Sequence, residues 1–176
     1  MSVFQKSLGL NNLKMNRAII LLGSNKGNSS RNLEESKAFI EKNAGKIVKF
    51  SGTYITEPWG KTDQPFFLNQ VVVVDTVLTA RQLINMLLLI EEKMGRKRVE
   101  KWESRLIDLD ILFFNNDIIE EEGLVIPHPH LHERRFTLVP LAEIMPGFNH
   151  PVFGKNIQTL LSELKDNLRV NLSSET

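Results

Sequence analysis

Two carboxylates, Asp108 and Asp110, interrupt an otherwise apolar stretch, RLIDLDILFF at 105–114. Side chains alternate along a strand, so Ile107, Leu109 and Ile111 share one face and the two acids the other. At ~3.3 Å per residue the acids stand roughly 6.6 Å apart along the strand, a span able to bracket two divalent cations roughly 3.5–4 Å from each other. Unpaired acids on so apolar a strand are costly to bury, and a hard cation coordinated by oxygen, such as Mg²⁺, would neutralise them. Taken alone, the pair fits a solvated sheet face about as well, with Arg105 as a surface partner. The upstream residues tip the balance. From Lys93 to Arg105, six bases stand against two acids around Trp102. A cationic, glycine-containing loop feeding a metal-binding strand suits a ligand that carries Mg²⁺ and several phosphates, with ATP the natural candidate.

The elements that must hold this strand follow from periodicity. Residues 17–22 (RAIILL) read as a buried strand closed by the turn GSNKGN at 23–28. Its glycine pair fits neither phosphate-loop pattern and is read as a strand-to-helix turn. Ser29 or Ser30 would cap a helix running through Leu33, Ile40 and Ala44 to Gly45. Residues 47–55 alternate as a half-buried strand. Two prolines and a glycine in 56–65 predict a long exposed loop. Residues 66–74 form a β-branched, apolar strand. Thr79 opens a helix in which Gln82 completes a capping box, Leu83, Leu87, Ile90 and Met94 make the buried stripe, and Gly95 ends it. After the acidic strand, Asn115 and Asn116 turn into a short return over 117–119.

Strand, helix, strand, strand, helix, strand is the order of an α+β, ferredoxin-like split βαβ antiparallel sheet with both helices on one face. The face bearing Asp108 and Asp110 is then open to ligand, and additional C-terminal helices are expected over 136–144 and 157–164. Three of the four histidines, His128, His130 and His132, fall beside Arg134 and Arg135. Their spacing matches no zinc motif, which favours phosphate contact by His128, Arg134 and Arg135.

Composition bounds the rest. With 176 residues, 41% of them hydrophobic, and no low-complexity linker, the chain reads as one domain over 17–168. An N-terminal extension over 1–16, expected to be poorly ordered, and a C-terminal tail over 169–176 flank it. A net charge of +1 and a pI near 8.0 argue against a general nucleic-acid or membrane partner. Cysteine is absent, which excludes disulfides, thiolate catalysis and Cys-ligated zinc. No run is long and apolar enough for a membrane span or a signal peptide, so the expected compartment is the cytoplasm. A monomer is expected, with a dimer as the alternative.

In their joint order, several motifs resemble the 6-hydroxymethyl-7,8-dihydropterin pyrophosphokinase family over roughly residues 18–164. They are Gly23-Ser-Asn25, Glu57-Pro-Trp-Gly60, Asp63-Gln-Pro-Phe-Phe-Leu-Asn69, Ile90-Glu91 with Gly95-Arg-Lys-Arg98, Arg105-x-x-Asp-Leu-Asp-Ile-Leu112, and Pro127-His128 through Arg134. The resemblance implies transfer of diphosphate from ATP to a pterin alcohol in folate biosynthesis, giving AMP and the pterin diphosphate. It implies that Asp108 and Asp110 hold two Mg²⁺ ions and that Arg96, Arg98 and Arg105 act with them on the transferred group. Glu91, Arg98, Trp102, Arg105, Ile111, His128 and Arg134 would contact ATP. Pterin would lie between Phe67 and Phe136, its edge read by Asn69 and by groups near Thr56, Pro58 and Trp59. Residues 56–65 and 95–104 would close over the bound ligands.

By residue type alone the two phenylalanines could be ordinary core, whereas Asn69 in an apolar strand needs hydrogen-bond partners. The sequence departs from the family at Glu103-Ser104, where Gly-Pro is usual, at Leu106, where a small polar residue is usual, and in a basic loop one residue shorter than in some relatives. A two-metal phosphohydrolase would use the same aspartates and arginines. An RNA-binding ferredoxin-like module is a more distant alternative, opposed by the missing aromatic RNA-recognition motif and by two acids on the face where RNA would lie.

Overall fold

The computed structural model describes residues 14–59, 63–95 and 105–174. Strand β1 (Asn16–Ser24) lies inside the sheet because it is apolar on both faces, with Ile19 and Leu21 on one and Ala18, Ile20 and Leu22 on the other. It pairs antiparallel with β4 (Phe67–Thr76) on one side and with β5 (Asp108–Phe114) on the other. Beyond β4 come β2 (Lys46–Phe50) and β3 (Tyr54–Thr56), and β3 in turn pairs with β8 (Val170–Leu172). The sheet has six strands, ordered β5-β1-β4-β3-β8 with β2 also on β4.

The strand expected over 47–55 is broken in two. Ser51 turns inward, its N–H donating to the Val71 carbonyl at 2.9 Å and its Oγ accepting from the Val71 N–H at 3.0 Å, while Gly52 N–H donates to the Glu143 carboxylate. Within the tail expected over 169–176, Val170–Leu172 forms an edge strand on β3. The return expected after Asn116 does not rejoin β5: β6 (Ile119–Glu121) pairs with β7 (Leu124–Ile126) in a separate two-stranded hairpin.

Helices α1 (Ser29–Asn43) and α2 (Ala80–Lys93) follow β1 and β4. The cap of α1 is Asn28, whose Oδ1 accepts the Arg31 N–H at 2.9 Å, and neither Ser29 nor Ser30 fills that role. The capping box of α2 forms as expected, Gln82 N–H donating to Thr79 Oγ1 and Thr79 N–H to Gln82 Oε1. Both helices bury Leu33, Ile40, Leu83, Leu87 and Ile90 against Ile20, Leu22, Val72, Val74, Leu109 and Ile111.

The opposite face is only half open. Helices α3 (Arg135–Ile144) and α4 (Ile157–Glu163) pack Leu138, Leu141, Ile144, Ile157 and Leu160 over Ile19, Val71, Val73 and Phe113. Strands apolar on both faces must be covered on both, so the fully open face read from the sequence could not stand. A β-bulge separates the halves on β5. Ile20 pairs with Ile111 and Ile19 with Phe113, leaving Leu112 as the extra residue. Strict alternation from Asp108 would send Phe113 to the α1–α2 side; the bulge turns it to the α3–α4 side, where it packs on Phe148 with ring centroids 4.8 Å apart.

Candidate active site

At the uncovered end of the α3–α4 face lies a cavity of about 340 Å³. Its floor is Leu21 and Gly23 of β1, Phe67 and Asn69 of β4, and Asp108 and Asp110 of β5; its walls include Thr56, Glu57, Trp59, Gln64, Arg105, His128, His130, Arg134 and Phe136. The sheet register explains the gathering, because Gly23 pairs with Asn69 on one side and with Asp108 on the other. A Cβ on Gly23 would sit 3.0 Å from Asn69 Oδ1, so a side chain here would push the amide a little from its place on the floor. Asn69 is 3% exposed, and its Nδ2 donates to Thr56 Oγ1 at 2.7 Å, which supplies the partner its place in an apolar strand demands.

The Gly23-Ser-Asn25 turn has a larger part than closing a strand. Asn25, buried, accepts the Arg105 N–H on its Oδ1 at 2.7 Å, donates its own N–H to the Arg105 carbonyl at 3.1 Å, and reaches Gln64 Oε1 with Nδ2 at 3.3 Å. One side chain thereby ties the entry to β5 to the loop before β4. Arg105 then turns its guanidinium to Asp108, with Nη1 donating to Oδ2. On the far side of β5, Glu91 of α2 accepts the Leu109 N–H at 2.7 Å, between the two aspartates.

Charge is crowded here. Burial first, then the Asp108 and Glu91 carboxylates, push the Asp110 carboxyl up to about 7, against the opposing pull of Arg134 and Arg105. Burial also lowers the Arg134 guanidinium, which the Asp110 and Asp108 carboxylates counteract. Its Nε is buried with no hydrogen-bond partner among the described residues, and its plane lies over Trp59 at 4.6 Å and Phe136 at 5.7 Å. Burial, Arg134 and His130 hold the His128 imidazole down at about 4, so it is neutral at pH 7. Its Nδ1 accepts the His130 N–H at 3.2 Å, which leaves the proton on Nε2. His128 can therefore donate a hydrogen bond but brings no positive charge.

Asp108 and Asp110 fit a cation. A carboxyl that resists ionisation beside a second acid is relieved by a positive ion, and among the described residues no group of three or more His, Cys, Asp or Glu is placed to hold a metal by itself. Oxygens from polyphosphate and water would have to complete the coordination, as Mg²⁺ prefers.

Of the residues singled out from the sequence, Arg105, Asp108, Asp110, His128, Arg134, Thr56, Trp59, Phe67, Asn69 and Phe136 meet at this cavity. Glu91 and Ile111 do not line it: both lie buried in the layer between the sheet and α1–α2. Pro58 is buried without reaching the cavity, and with Thr56 it departs from the exposed loop expected there. Arg135 opens α3 with its N–H on Asp166 Oδ2, away from the cavity lining. Arg96, Arg98 and Trp102 lie outside the described residues. The histidine cluster divides, since His128 and His130 face the cavity while His132 packs on Phe153 with ring centroids 4.6 Å apart. His130, Gln64 and Glu57 were not singled out as ligand contacts; the motifs containing Glu57 and Gln64 were the available signal.

A family model described as 7,8-dihydro-6-hydroxymethylpterin-pyrophosphokinase (HPPK) matches residues 19–146, a span that contains every residue lining the cavity. The chain is 40% identical over 151 residues to the 2-amino-4-hydroxy-6-hydroxymethyldihydropteridine pyrophosphokinase of Methylorubrum extorquens, covering 85% of this chain and 94% of that protein. It is 43% identical over 130 residues to the protein of the same name from Bacillus subtilis, covering 73% and 78%. Among solved structures, a Plasmodium falciparum HPPK-DHPS triple mutant with SDX-DHP superposes with a TM-score of 0.72 at 22% identity, over 87% of this chain and 45% of that longer one, a likeness of fold. With its antiparallel sheet, its cavity and these relatives, the chain belongs to the 7,8-dihydro-6-hydroxymethylpterin-pyrophosphokinase family.

Proposed function

We propose that this protein transfers the β,γ-diphosphate of ATP to the hydroxymethyl oxygen of 6-hydroxymethyl-7,8-dihydropterin, in folate biosynthesis. The oxygen of the pterin alcohol forms a bond to the β-phosphorus, the bond from that phosphorus to the α,β-bridging oxygen breaks, AMP leaves with the electron pair, and the alcohol proton is lost. The observation that carries this reading is the meeting of two chemistries in one cavity. Acids and bases (Asp108, Asp110, Arg105, Arg134) and aromatic rings with a Thr56–Asn69 pair (Phe67, Phe136, Trp59) line it together, and Arg134 joins the two sets by lying over Trp59 and Phe136. A hydrolase needs only the first; an acceptor that is flat, apolar on its faces and polar on its edge needs the second.

In this reading Asp108 and Asp110 would hold two Mg²⁺ ions, which would supply charge neutralisation and Lewis-acid polarisation to the polyphosphate. The chain's own groups do the rest. Arg105 is kept beside Asp108 by the Asn25 clasp, which aims a guanidinium at the phosphates. Arg134, inside the cavity wall, faces charge that develops on the transferred group. Neutral His128 offers an Nε2 donor to a phosphate oxygen. Phe67 and Phe136 stack on the pterin faces, and Thr56, Asn69 and the backbone near Pro58 and Trp59 read its edge. Arg96, Arg98 and Trp102 add to the ATP site. Glu91 and Ile111, below the strand, act by fixing the course of β5 under the nucleotide.

The helix crossings after β1 and β4 and the order β5-β1-β4-β3 fit the ferredoxin-like plan. We read the protein as a monomeric, cytoplasmic enzyme. Among the described residues no helix is long and apolar enough to cross a membrane. ATP labelled separately at the β and γ positions tests the transferred group, since both labels should reach the pterin product together with release of AMP. Recovery of ADP carrying the β label, or full-rate hydrolysis without pterin, would overturn the assignment.

A further inference from the structure

Past residue 146, where the family match ends, the chain returns to the cavity from outside. After α4 it runs beneath the start of α3 and then pairs as β8 with β3. Two side chains on this return, Asp166 and Arg169, reach opposite walls of the site.

Asp166 Oδ2 accepts the Arg135 N–H at 2.8 Å, and Oδ1 accepts the Leu168 N–H at 2.9 Å. The first contact sits at the N-terminus of α3, where the N-cap residue Arg134 supplies no side-chain hydrogen bond of its own. Helix starts leave N–H groups without intrahelical partners, so a carboxylate brought from elsewhere both satisfies one and complements the dipole. That turn carries Arg134 and Phe136 on either side of Arg135. Arg169 grips the other wall. Its Nε donates to Glu57 Oε1 at 2.7 Å, its backbone N–H to Glu57 Oε2 at 2.9 Å, and its carbonyl accepts the Glu57 N–H at 3.2 Å. The Arg169 backbone N–H and then its guanidinium hold the Glu57 carboxyl below the usual carboxylate range. Glu57 lies between Thr56 and Trp59, which line the cavity as it does. Trp59 and Arg134, one from each wall, meet with the guanidinium carbon over the ring at 4.6 Å.

We propose that Asp166 and Arg169 are positioning residues that set the separation of the two walls gripping the pterin. The residues of the segment that do this touch no reacting atom. Arg169 acts on the Glu57 wall and leaves Asp108 and Asp110, on the far strand of the sheet, undisturbed, whereas Asp166 also holds the turn that carries Arg134. The inference rests on the assignment of pterin to that side.

The test uses full-length protein in four variants, Asp166→Ala, Asp166→Asn, Arg169→Ala and Phe67→Ala. The dissociation constant of 6-hydroxymethyl-7,8-dihydropterin is measured calorimetrically, beside kcat and both KM values. Asp166→Ala should raise the pterin Kd and KM about tenfold, the scale of a lost helix cap. Arg169→Ala, which removes an exposed pair but leaves the backbone contacts, should raise them roughly threefold. In Arg169→Ala, kcat and the KM for ATP should stay near wild type; in Asp166→Ala, which also loosens the turn of Arg134, kcat should fall as well, and Asp166→Asn, which keeps an acceptor oxygen, should restore most of the binding and of kcat. Unchanged pterin binding in Asp166→Ala and Arg169→Ala, or equal losses for pterin and ATP that Asn does not rescue, would overturn the positioning role. Unchanged pterin binding in Phe67→Ala would instead overturn the pterin assignment, so the two failures are told apart.

Discussion

One face of one sheet does two opposite jobs. At the α3–α4 end, β1, β4 and β5 present Ile19, Val73 and Phe113, and helices close over them. A few residues along, the same strands present Gly23, Asn69 and the two aspartates, and among the described residues they line an open cavity. Backbone pairing is continuous through both halves, so the difference lies in the side chains. Apolar side chains recruit cover through the hydrophobic effect, whereas a bare glycine, an amide and two acids cannot reward it. The open half carries an acid lifted to about 7 and a histidine depressed to about 4, and the covered half holds a second depressed histidine, His150 against Phe113, also at about 4.

The comparison can be broken from either side. The largest expected effect is on chemistry: Asp108→Asn should lower kcat by roughly 10³-fold or more, since a divalent ion on phosphate is worth several kcal/mol of transition-state stabilisation. Near-normal turnover at ordinary Mg²⁺ in a steady-state assay would remove Asp108 from the site. Next comes the covered half. Leu141, fully buried under the sheet, should cost about 3 kcal/mol of unfolding free energy as Leu141→Ala, measured by denaturant titration, with KM values unmoved.

Asp110→Asn should act in the opposite direction on stability. The folded state holds the Asp110 proton more tightly than the unfolded chain, so ionisation costs stability as pH rises from the ordinary 3.8 through about 7. Without divalent cations the variant should gain on the order of 2 kcal/mol at pH 8, with the gain fading toward pH 4. A gain that grows on acidification would reverse the assigned cause. The smallest effect belongs to Gly23→Ala, whose Cβ would press on Asn69 Oδ1 from 3.0 Å. The pterin KM should rise a few-fold, on the order of one disturbed hydrogen bond, with the unfolding midpoint almost unmoved; an unchanged KM would mean that Asn69 does not read the pterin.

Much of this was legible in sequence because it is written in local periods. The apolar strands β1, β4 and β5, the capping box at Thr79 and the shared face of Asp108 and Asp110 each depend on residues within a few positions of one another. What escaped depends on partners distant along the chain. Asn25 looks like a turn residue until Arg105 arrives 80 positions later to fill its side chain. Ser51 breaks a well-alternating strand only because Val71 stands opposite, and β8 exists only because β3 offers an edge. His132 was grouped with His128 and His130 by spacing, yet the short 3₁₀ turn Leu131–Glu133 swings it toward Phe153. The family resemblance named residues that line the cavity and that periodicity could not single out, although Glu91 and Ile111, which it also named, lie one layer below.

The bulge at Leu112 makes the acidic strand portable only as a whole. It splits β5 into two reading frames, one that keeps Asp108 and Asp110 over the cavity and one that turns Phe113 under α3 and α4. Mutation can therefore alter the acids without re-registering the packing beyond them, and the reverse. Anyone grafting the aspartate pair onto another sheet would have to carry the extra residue too. Omitting it would leave the two acids in place and turn every later side chain inside out.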